Sequence, residues 1–256
     1  WIIEAEIKEF CEHLVHELRL EKRSVVNYSK TQKWLKASEN AGDLIEKHFS
    51  ANSENKKINE FALVRRLTHI IPETHGFFIG NSLPVRAVDM VGSEKGADLP
   101  TALNRGASGI DGLIASACGY SSGMQKPVTL LIGDLSALHD LNSFKLLTDS
   151  PEPVLLVLLN NHGGGIFSFL PVAQQTDIFE PFFAAPHNYN FRKASSMFNL
   201  NYFNPGSISA FEIDYLKALQ ANKSAVIEII SDRDKNPQYL ESLRQKLVKS
   251  AFESSL

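Results

Sequence analysis

The stretches VTLLIGDLS at 128–136 and VLLVLLNNHGGG at 154–165 decide the fold of this chain. Each begins with a continuous apolar run and ends in a glycine-containing turn that carries an acidic or amide side chain. Continuous apolar runs are typical of strands buried on both faces of a parallel sheet. Four such runs are predicted strands: Phe77–Ile79, Val128–Ile132, Val154–Leu159 and Ala225–Ile230.

Helical periodicity lies between and around these strands. The predicted helices are Ile58–Ile70, which Pro72 ends, and Ile110–Tyr120, Leu138–Leu147, Ser209–Ala221 and Tyr239–Phe252. Alternating strands and helices predict an α/β fold, a doubly wound and mostly parallel sheet flanked by helices. In such sheets, ligands bind at the carboxyl ends of the strands.

The composition excludes several classes of protein. Of the 256 residues, 43% are hydrophobic and 21% are charged, as in globular rather than disordered proteins. The net charge of −3 argues against a nucleic-acid partner. The longest apolar run is far shorter than a membrane span needs, and two cysteines are too few for a disulfide framework.

The N-terminal part has a different character. Ile3, Ile7, Phe10, Leu14 and Leu18 follow helical spacing from the very start of the chain. No leader peptide is recognisable, so we expect the sequence to be a fragment that begins inside a larger protein. The polar stretch Ser50–Lys57 is predicted to be a loop before the first helix of the sheet domain.

Asp134 and Asn161 are the strongest candidates for chemistry. They lie 27 residues apart, each after a predicted strand, and should emerge side by side at one edge of the sheet. A carboxylate, an amide oxygen and a glycine-turn carbonyl are ligands suited to Mg²⁺. Gly133 would let the backbone approach a phosphate, and Ser136 would cap the next helix. The alternative is an ordinary capped turn followed by an Asx turn.

Two arginines accompany further turns at this edge. Arg105 lies in the glycine-rich stretch 104–112 and is suited to bidentate carboxylate recognition. Arg86 follows the turn Gly80-Asn81-Ser82. A surface salt bridge is the alternative for Arg105, and a plain surface position is the alternative for Arg86.

Together these turns resemble one known family. The blocks GNSLPVR at 80–86, NRGASGIDG at 104–112, LIGDLSALHDLN at 131–142 and NNHGGGIFSFLP at 160–171 resemble a branch of the thiamine-diphosphate enzymes. That branch is the 2-succinyl-5-enolpyruvyl-6-hydroxy-3-cyclohexene-1-carboxylate (SEPHCHC) synthases of menaquinone and phylloquinone biosynthesis. Most thiamine-diphosphate enzymes have glycine after Gly-Asp, whereas Leu135 follows here, as in this branch. The resemblance covers residues 35–256 and loosely identifies 1–34 as the tail of a middle domain.

The resemblance implies a cofactor, a metal and their residues. The cofactor would be thiamine diphosphate with Mg²⁺ or Mn²⁺, the metal being held by Asp134, Asn161 and the carbonyl of Gly163. Residues 35–256 would form the diphosphate- and metal-binding domain. Catalytic roles would fall to Arg86 and Arg105, which would grip substrate carboxylates, and to the apolar wall Ile166, Phe167 and Leu170. The residues implied to contact the cofactor are Ser82, Ile110, Gly133, Asp134, Leu135, Ser136, Asn161 and Gly163.

The resemblance also implies a reaction. Members decarboxylate 2-oxoglutarate and add the resulting succinyl-semialdehyde carbanion to isochorismate. The family's pyrimidine-binding domain, which carries an activating glutamate, is absent from this sequence, so the resemblance implies that this chain alone is inactive. It further implies a homo-oligomer, dimer or tetramer, that completes the site, in the cytoplasm or in the plastid stroma of a plant or alga. Two alternatives stay open: an acetolactate synthase-like enzyme acting on another 2-oxo acid, and a non-catalytic remnant.

Overall fold

The core of the structure is a six-stranded parallel sheet. The structure, a computed structural model, describes residues 5–20, 28–51, 58–96 and 98–253. The strands are β1 (Gly76–Ile79), β2 (Thr101–Ala102), β3 (Val128–Gly133), β4 (Val154–Asn160), β5 (Asn201–Phe203) and β6 (Ala225–Ile230), in the spatial order β2-β1-β3-β4-β6-β5. The predicted fold class, a doubly wound parallel α/β sheet, is therefore confirmed.

The strand order reverses between β1 and β3. From β1 the chain crosses to β2 on one side, and it then returns to place β3 on the other side of β1. Gly133 at the end of β3 pairs with Leu159 of β4, so the turns after these two strands leave the sheet at the same level. A reversal of this kind opens a crevice at the carboxyl ends of the strands, where ligands bind in open α/β sheets.

Both faces of the sheet are buried, as the continuous apolar runs predict. Alternate residues of β4 enter two separate cores: Leu155, Val157 and Leu159 lie in one, and Val154, Leu156 and Leu158 lie in the other. Each of these side chains is at most 1% exposed. Complete burial of such a side chain stabilises the fold by about 1.5–3 kcal/mol, so this strand is a large contributor to the core.

Helices cover the two faces. They are α1 (Ile7–Leu20), α2 (Tyr28–Ala51), α3 (Glu60–Ile70), α4 (Leu83–Val91), α5 (Leu113–Met124), α6 (Asp134–His139), α7 (Phe144–Asp149), α8 (Thr176–Phe179), α9 (Arg192–Met197), α10 (Ile208–Ala221) and α11 (Lys235–Glu253). The first core includes side chains from α3, α4, α10 and α11, and the second includes side chains from α5 and α7. Predicted helices 58–70, 110–120, 209–221 and 239–252 correspond to α3, α5, α10 and α11 with shifted ends.

The predicted helix Leu138–Leu147 is wrong as a single element. The chain forms α6, a 3₁₀ turn (Leu141–Ser143) and α7 in its place. Asp140 interrupts the helix because its backbone is not helical (φ −121°, ψ 26°). Its Oδ2 accepts hydrogen bonds from the backbone N–H groups of Ile114 (2.7 Å) and Ala115 (3.2 Å), at the start of α5. This carboxylate therefore caps a neighbouring helix instead of continuing its own.

The N-terminal region confirms helical structure for part of the predicted span. Phe10, Leu14 and Leu18 lie on α1 and are partly exposed, whereas Ile3 lies outside the described residues. Of the predicted loop Ser50–Lys57, the first two residues belong to α2 instead, and 52–57 lie outside the described residues. The proposed domain boundary after residue 34 falls within α2, which packs on α11, and that boundary stays a prediction. Among the helices that the structure describes, none is both long and apolar enough to cross a membrane.

Candidate functional site

A cavity of about 160 Å³ lies at the carboxyl ends of β1, β3 and β4. It opens at the crevice that the reversal of strand order creates. All eight residues predicted to contact the cofactor line it: Ser82, Ile110, Gly133, Asp134, Leu135, Ser136, Asn161 and Gly163. Four segments that are separated in sequence therefore meet at one place, and the roles assigned to these residues stay predictions.

The Asp134 carboxylate lines this cavity and is only 2% exposed. Its Oδ1 accepts a hydrogen bond from the backbone N–H of Leu135 (2.7 Å), and its Oδ2 accepts one from Gly163 (3.0 Å). Burial raises the pKa of Asp134 to about 7, although the N–H groups of Gly163 and Leu135 oppose that rise. A bound cation would supply the positive charge that this buried carboxylate needs to stay ionised.

His187 approaches the same carboxylate from the loop before α9. Its Nε2 lies 3.2 Å from Oδ2 of Asp134. The backbone N–H of Tyr189 donates to His187 Nδ1 (3.2 Å), which assigns the proton of a neutral imidazole to Nε2. Burial lowers the pKa of His187, and the nearby Glu228 carboxylate opposes this shift. The imidazole is therefore a neutral neighbour of Asp134 rather than its counter-charge.

Asn161 presents an amide oxygen in the same cavity wall. Its Nδ2 donates a hydrogen bond to Oε1 of Glu60 (2.9 Å), so the amide orientation is set by a carboxyl acceptor. Its Oδ1 is buried and has no hydrogen-bond donor among the described residues. A buried amide oxygen without a partner is costly and calls for a ligand. Within the described residues, no cluster of three or more His, Cys, Asp or Glu side chains is arranged to hold a metal.

The donor set fits a hard divalent cation. Asp134, Asn161 and Gly163 line the cavity at two adjacent strand ends. The Asp134 carboxylate, the Asn161 Oδ1 and the Gly163 carbonyl, which also accepts from the N–H of Gly165 (3.0 Å), would be the oxygen ligands. Mg²⁺ commonly takes only one or two carboxylates and completes its shell with phosphate oxygens and water. The partnerless Asn161 Oδ1 is the observation that favours such an ion over the capped-turn alternative.

The glycines of the turn after β4 permit its close packing. Gly163 has a φ of +150°, and a Cβ there would overlap the carbonyl oxygen of Ala184. A Cβ on Gly165 would overlap the Asn161 amide. Larger residues at either position would therefore displace the segment that holds the predicted metal ligands.

The turn after β1 is strained at a cavity-lining residue. Ser82 adopts φ +70° and ψ −130°, which is unusual for a residue with a Cβ. The side chain of the preceding Asn81 donates to the carbonyl of Gly109 (2.6 Å), and this hydrogen bond joins the turn to the glycine-rich segment 104–112. Backbone strain that the surroundings maintain is common at functional sites.

Ser136 does not cap α6 as predicted, because it lies inside that helix and is 3% exposed.

The two predicted substrate arginines lie outside the lining of the cavity and are exposed. Arg86 Nη1 donates to the carbonyl oxygen of Ser82 (2.7 Å), and Arg105 Nη1 donates to Oδ1 of Asn81 (3.2 Å). Both side chains are therefore hydrogen-bonded to the turn after β1, which carries the cavity-lining Ser82. Neither forms a salt bridge with a described residue, so the structure shows no salt bridge of the kind weighed for Arg105.

The predicted apolar wall is split between two surfaces. Ile166 and Phe167 line the cavity, and the Phe167 ring packs edge-on against Phe183 with a centroid distance of 6.0 Å. Leu170 is 48% exposed and lines a different groove together with Leu240 of α11. The structure therefore does not bring Leu170 to the cavity with the other two.

Glu60 and His187 belong to the site but escaped sequence reasoning. Glu60 lines the cavity although it lies 101 residues before its partner Asn161. A glutamate at the first position of a helix is ordinary, and no motif spacing connects it with the turn after β4. His187 lies in a loop without periodic pattern. Only its burial distinguishes Glu60 from an ordinary exposed glutamate in the first turn of a helix. The sequence does not predict the burial of a single acidic residue.

Comparison with known proteins relates this chain to one set of enzymes. It is 45% identical over 192 residues to the SEPHCHC synthase of Prosthecochloris aestuarii, which covers 75% of this chain and 33% of that protein. It is 42% identical over 234 residues to the synthase of Rubrobacter xylanophilus, covering 91% of this chain and 39% of that protein. The chain thus spans between a third and two fifths of the length of these relatives. No protein-family model matches it.

Solved structures share the fold at low identity. Benzoylformate decarboxylase from Polynucleobacter necessarius superposes with a TM-score of 0.59 and 15% identity over 71% of this chain and 34% of that protein. A Mycobacterium smegmatis protein described as a thiamin diphosphate-dependent enzyme gives a TM-score of 0.56 and 15% identity over 68% of this chain and 32% of that protein. At this identity the likeness concerns the fold alone. The sequence identity confirms the resemblance that the four sequence blocks indicated. This chain is a homologue of the SEPHCHC synthases over 75–91% of its length.

Proposed function

We propose that this chain forms the diphosphate- and metal-binding half of a thiamine-diphosphate active site. The complete site would decarboxylate 2-oxoglutarate and add the succinyl-semialdehyde carbanion to isochorismate. The observation that carries the proposal is the buried Asn161 Oδ1, which lacks a donor and shares a cavity wall with the buried Asp134 carboxylate. The identity with SEPHCHC synthases supports the choice of reaction.

The residues of this chain would divide the work of holding the cofactor. Asp134, Asn161 and the Gly163 carbonyl would hold Mg²⁺ or Mn²⁺, whose positive charge would offset the negative charge of a diphosphate. The backbone at Gly133 and the side chains of Ser82 and Ser136 would lie against the diphosphate, since they line the cavity. Bound thiamine diphosphate would supply the electron sink that loss of CO₂ from a 2-oxo acid requires.

The remaining cavity residues would shape the reaction space. Ile110, Ile166 and Phe167 would shield the reacting atoms from water, and this desolvation strengthens electrostatic interactions inside the site. Arg86 and Arg105, at the turn beside the cavity, would bind the carboxylates of the two anionic substrates. A simple 2-oxo acid decarboxylase needs no second anion site, so the two arginines favour the synthase over the acetolactate synthase-like alternative.

Calorimetry with thiamine diphosphate tests the metal-dependent binding. We expect the wild-type chain to bind the cofactor weakly, and only with Mg²⁺ or Mn²⁺, so that EDTA abolishes the signal. Asp134→Asn removes the only carboxylate among the proposed ligands and should weaken binding at least about tenfold, or about 1.4 kcal/mol. Asp149→Asn is the matched control, because Asp149 is exposed on α7 and pairs with Lys145. Equal cofactor affinity in wild type and Asp134→Asn would contradict the metal assignment.

A further inference from the structure

Glu60 is a buried carboxyl group in the wall of the cofactor cavity that none of the proposed roles uses. It is 1% exposed and begins α3, whose N-cap is Asn59. Its Oε1 accepts hydrogen bonds from Nδ2 of Asn161 (2.9 Å) and from the hydroxyl of Ser231 (2.5 Å). Burying a carboxyl group is costly, so a group kept at this position needs a compensating role.

The hydrogen bond from Asn161 determines which way its amide points. With Nδ2 turned to Glu60, Oδ1 is directed away from it and has no donor among the described residues. The flipped amide would bring its oxygen against Oε1 of Glu60, which is an unfavourable contact between two acceptors. The acceptor on Glu60 therefore selects the orientation in which the oxygen of Asn161 is free to bind a cation.

We infer that Glu60 is a positioning residue for the cation site, orienting the Asn161 amide so that Oδ1 is presented to the metal. This inference rests on the proposed function and adds a residue from a helix distant in sequence. Outer partners of this kind commonly change metal affinity by about 10–100-fold when they are removed. Ser231, at the end of β6, would only link α3 to the sheet through the same carboxyl group.

Substitutions separate a positioning role from a structural one. Glu60→Leu removes the acceptor and should weaken Mn²⁺ binding by about 10–100-fold in the presence of thiamine diphosphate. Glu60→Gln keeps an oxygen that can accept from Asn161 and should restore most of the affinity. Ser231→Ala removes the hydrogen bond from Ser231 and keeps the one from Asn161, so it should leave the affinity within about twofold of wild type. Binding is measured on the 256-residue chain by the loss of the free Mn²⁺ signal in electron paramagnetic resonance.

A stability control uses a buried hydrogen bond away from the cavity. The Tyr215 hydroxyl lies 2.6 Å from Oγ1 of Thr129 in the core. Tyr215→Phe removes this bond and should lower stability without changing the Mn²⁺ affinity. If Glu60→Leu and Tyr215→Phe weaken Mn²⁺ binding equally, Glu60 acts only through stability and the inference is wrong.

A second measurement examines the amide without metal. In nuclear magnetic resonance of nitrogen-15-labelled protein, the side-chain amide signal of Asn161, assigned through its loss in Asn161→Asp, should shift in Glu60→Leu and stay close to the wild-type position in Glu60→Gln. An unchanged signal in Glu60→Leu overturns the inference. Absence of Mn²⁺ binding by the wild-type chain overturns the proposed function instead, and the amide signal then still decides whether Glu60 orients Asn161.

Discussion

At the scale of single residues, the site is defined by polar groups that the fold buries at a cost. Asp134, Asn161 and Glu60 are each at most 8% exposed, and all three line the cavity at the carboxyl ends of the strands. Leaving such groups without full hydrogen bonding costs about 1–3 kcal/mol each. Asn161 Oδ1 and Glu60 Oε2 have no hydrogen-bond partner among the described residues, whereas some other buried polar groups have all their partners within the protein.

Glu228 is such a self-satisfied group. Its Oε1 accepts from Nδ2 of Asn160 (2.6 Å), and its Oε2 accepts from the backbone N–H of Phe191 (3.0 Å) and from the hydroxyl of Tyr202 (2.5 Å). Asn160 also donates to the carbonyl of Tyr189 (3.0 Å). This network fixes the long segment between β4 and α9 to the sheet, and in doing so it places His187 beside the candidate site.

His75 predicts an acid-sensitive contribution to stability. It is 9% exposed, and burial lowers its pKa below the ordinary value of 6.5. The folded state therefore prefers the neutral imidazole, so its contribution is complete above pH 6.5 and is lost as the pH falls through the lowered pKa. One such group changes the free energy of unfolding by at most about 1.4 kcal/mol per pH unit.

The measurement compares unfolding by urea at pH 8 and pH 5.5. His75→Gln should lose less stability than wild type between these two pH values, because its side chain does not titrate. His139→Gln, at an exposed position on α6, should behave as wild type. A wild-type loss no larger than that of His75→Gln would show that His75 does not contribute to the pH dependence.

At the scale of elements, sequence pattern predicts four of the six strands that the structure describes and misses the two shortest. β3, β4 and β6 have six or seven residues, and their apolar runs identify them. β2 and β5 have only two and three residues, too few to show any periodicity, and they were not predicted. Their place in the sheet is given by pairing with β1 and β6, which is tertiary information.

The break between α6 and α7 shows the same limit. The apolar spacing from Leu138 to Leu147 is compatible with one helix. Asp140 instead contacts α5, and its Oδ1 accepts from the hydroxyl of Ser143 (2.5 Å). A side chain that hydrogen-bonds a distant helix end overrides local periodicity, and its partner is not readable from the sequence around it.

Asp140 therefore predicts a stability effect at the start of α5. Asp140→Ala leaves the N–H groups of Ile114 and Ala115 without their acceptor and should lower the free energy of unfolding by about 2–3 kcal/mol. Asp140→Asn keeps one acceptor oxygen and should lose less. The measurement is denaturant unfolding followed by circular dichroism.

Asp149→Ala supplies the comparison for this prediction. It removes an exposed i,i+4 pair with Lys145 and should change stability by no more than about 0.5 kcal/mol. If Asp140→Ala is as mild as Asp149→Ala, the cap does not stabilise α5. The turn 104–112 that carries Ile110 would then depend on other contacts for its position.

At the scale of the whole molecule, the sequence predicted the cavity-lining residues that follow the strands, and the sheet topology explains why they lie together. The three turns after β1, β3 and β4 meet because parallel strands end at the same edge of the sheet. Strand order did not predict the position of Glu60, because this residue reaches the cavity from α3, a helix that precedes all three strands in the sequence. Residues that lie together through strand order were predictable, and those brought in by helix packing were not.

The last prediction concerns the catalytic competence of this chain. Its relatives are between two and a half and three times as long as the part that it spans. We expect the chain alone, with thiamine diphosphate and Mg²⁺, to release no CO₂ from 2-oxoglutarate, because the proposed function assigns it only the diphosphate- and metal-binding half of the site. Adding the portion of the Rubrobacter xylanophilus relative that lies outside the matched region should restore CO₂ release, and isochorismate should then be consumed.

Substrate and variant controls make this experiment decisive between the alternatives. The same mixture with Asp134→Asn should stay inactive, which ties the activity to the metal ligands of this chain. Release of CO₂ from pyruvate rather than 2-oxoglutarate would favour the acetolactate synthase-like alternative. If this chain and the added portion of the relative form a complex without any decarboxylation, a non-catalytic remnant is favoured. Release of CO₂ by this chain alone would show that its own residues complete the site. Because Arg86 and Arg105 lie at one turn beside the cavity, we expect 2-oxoglutarate to be the substrate that is used.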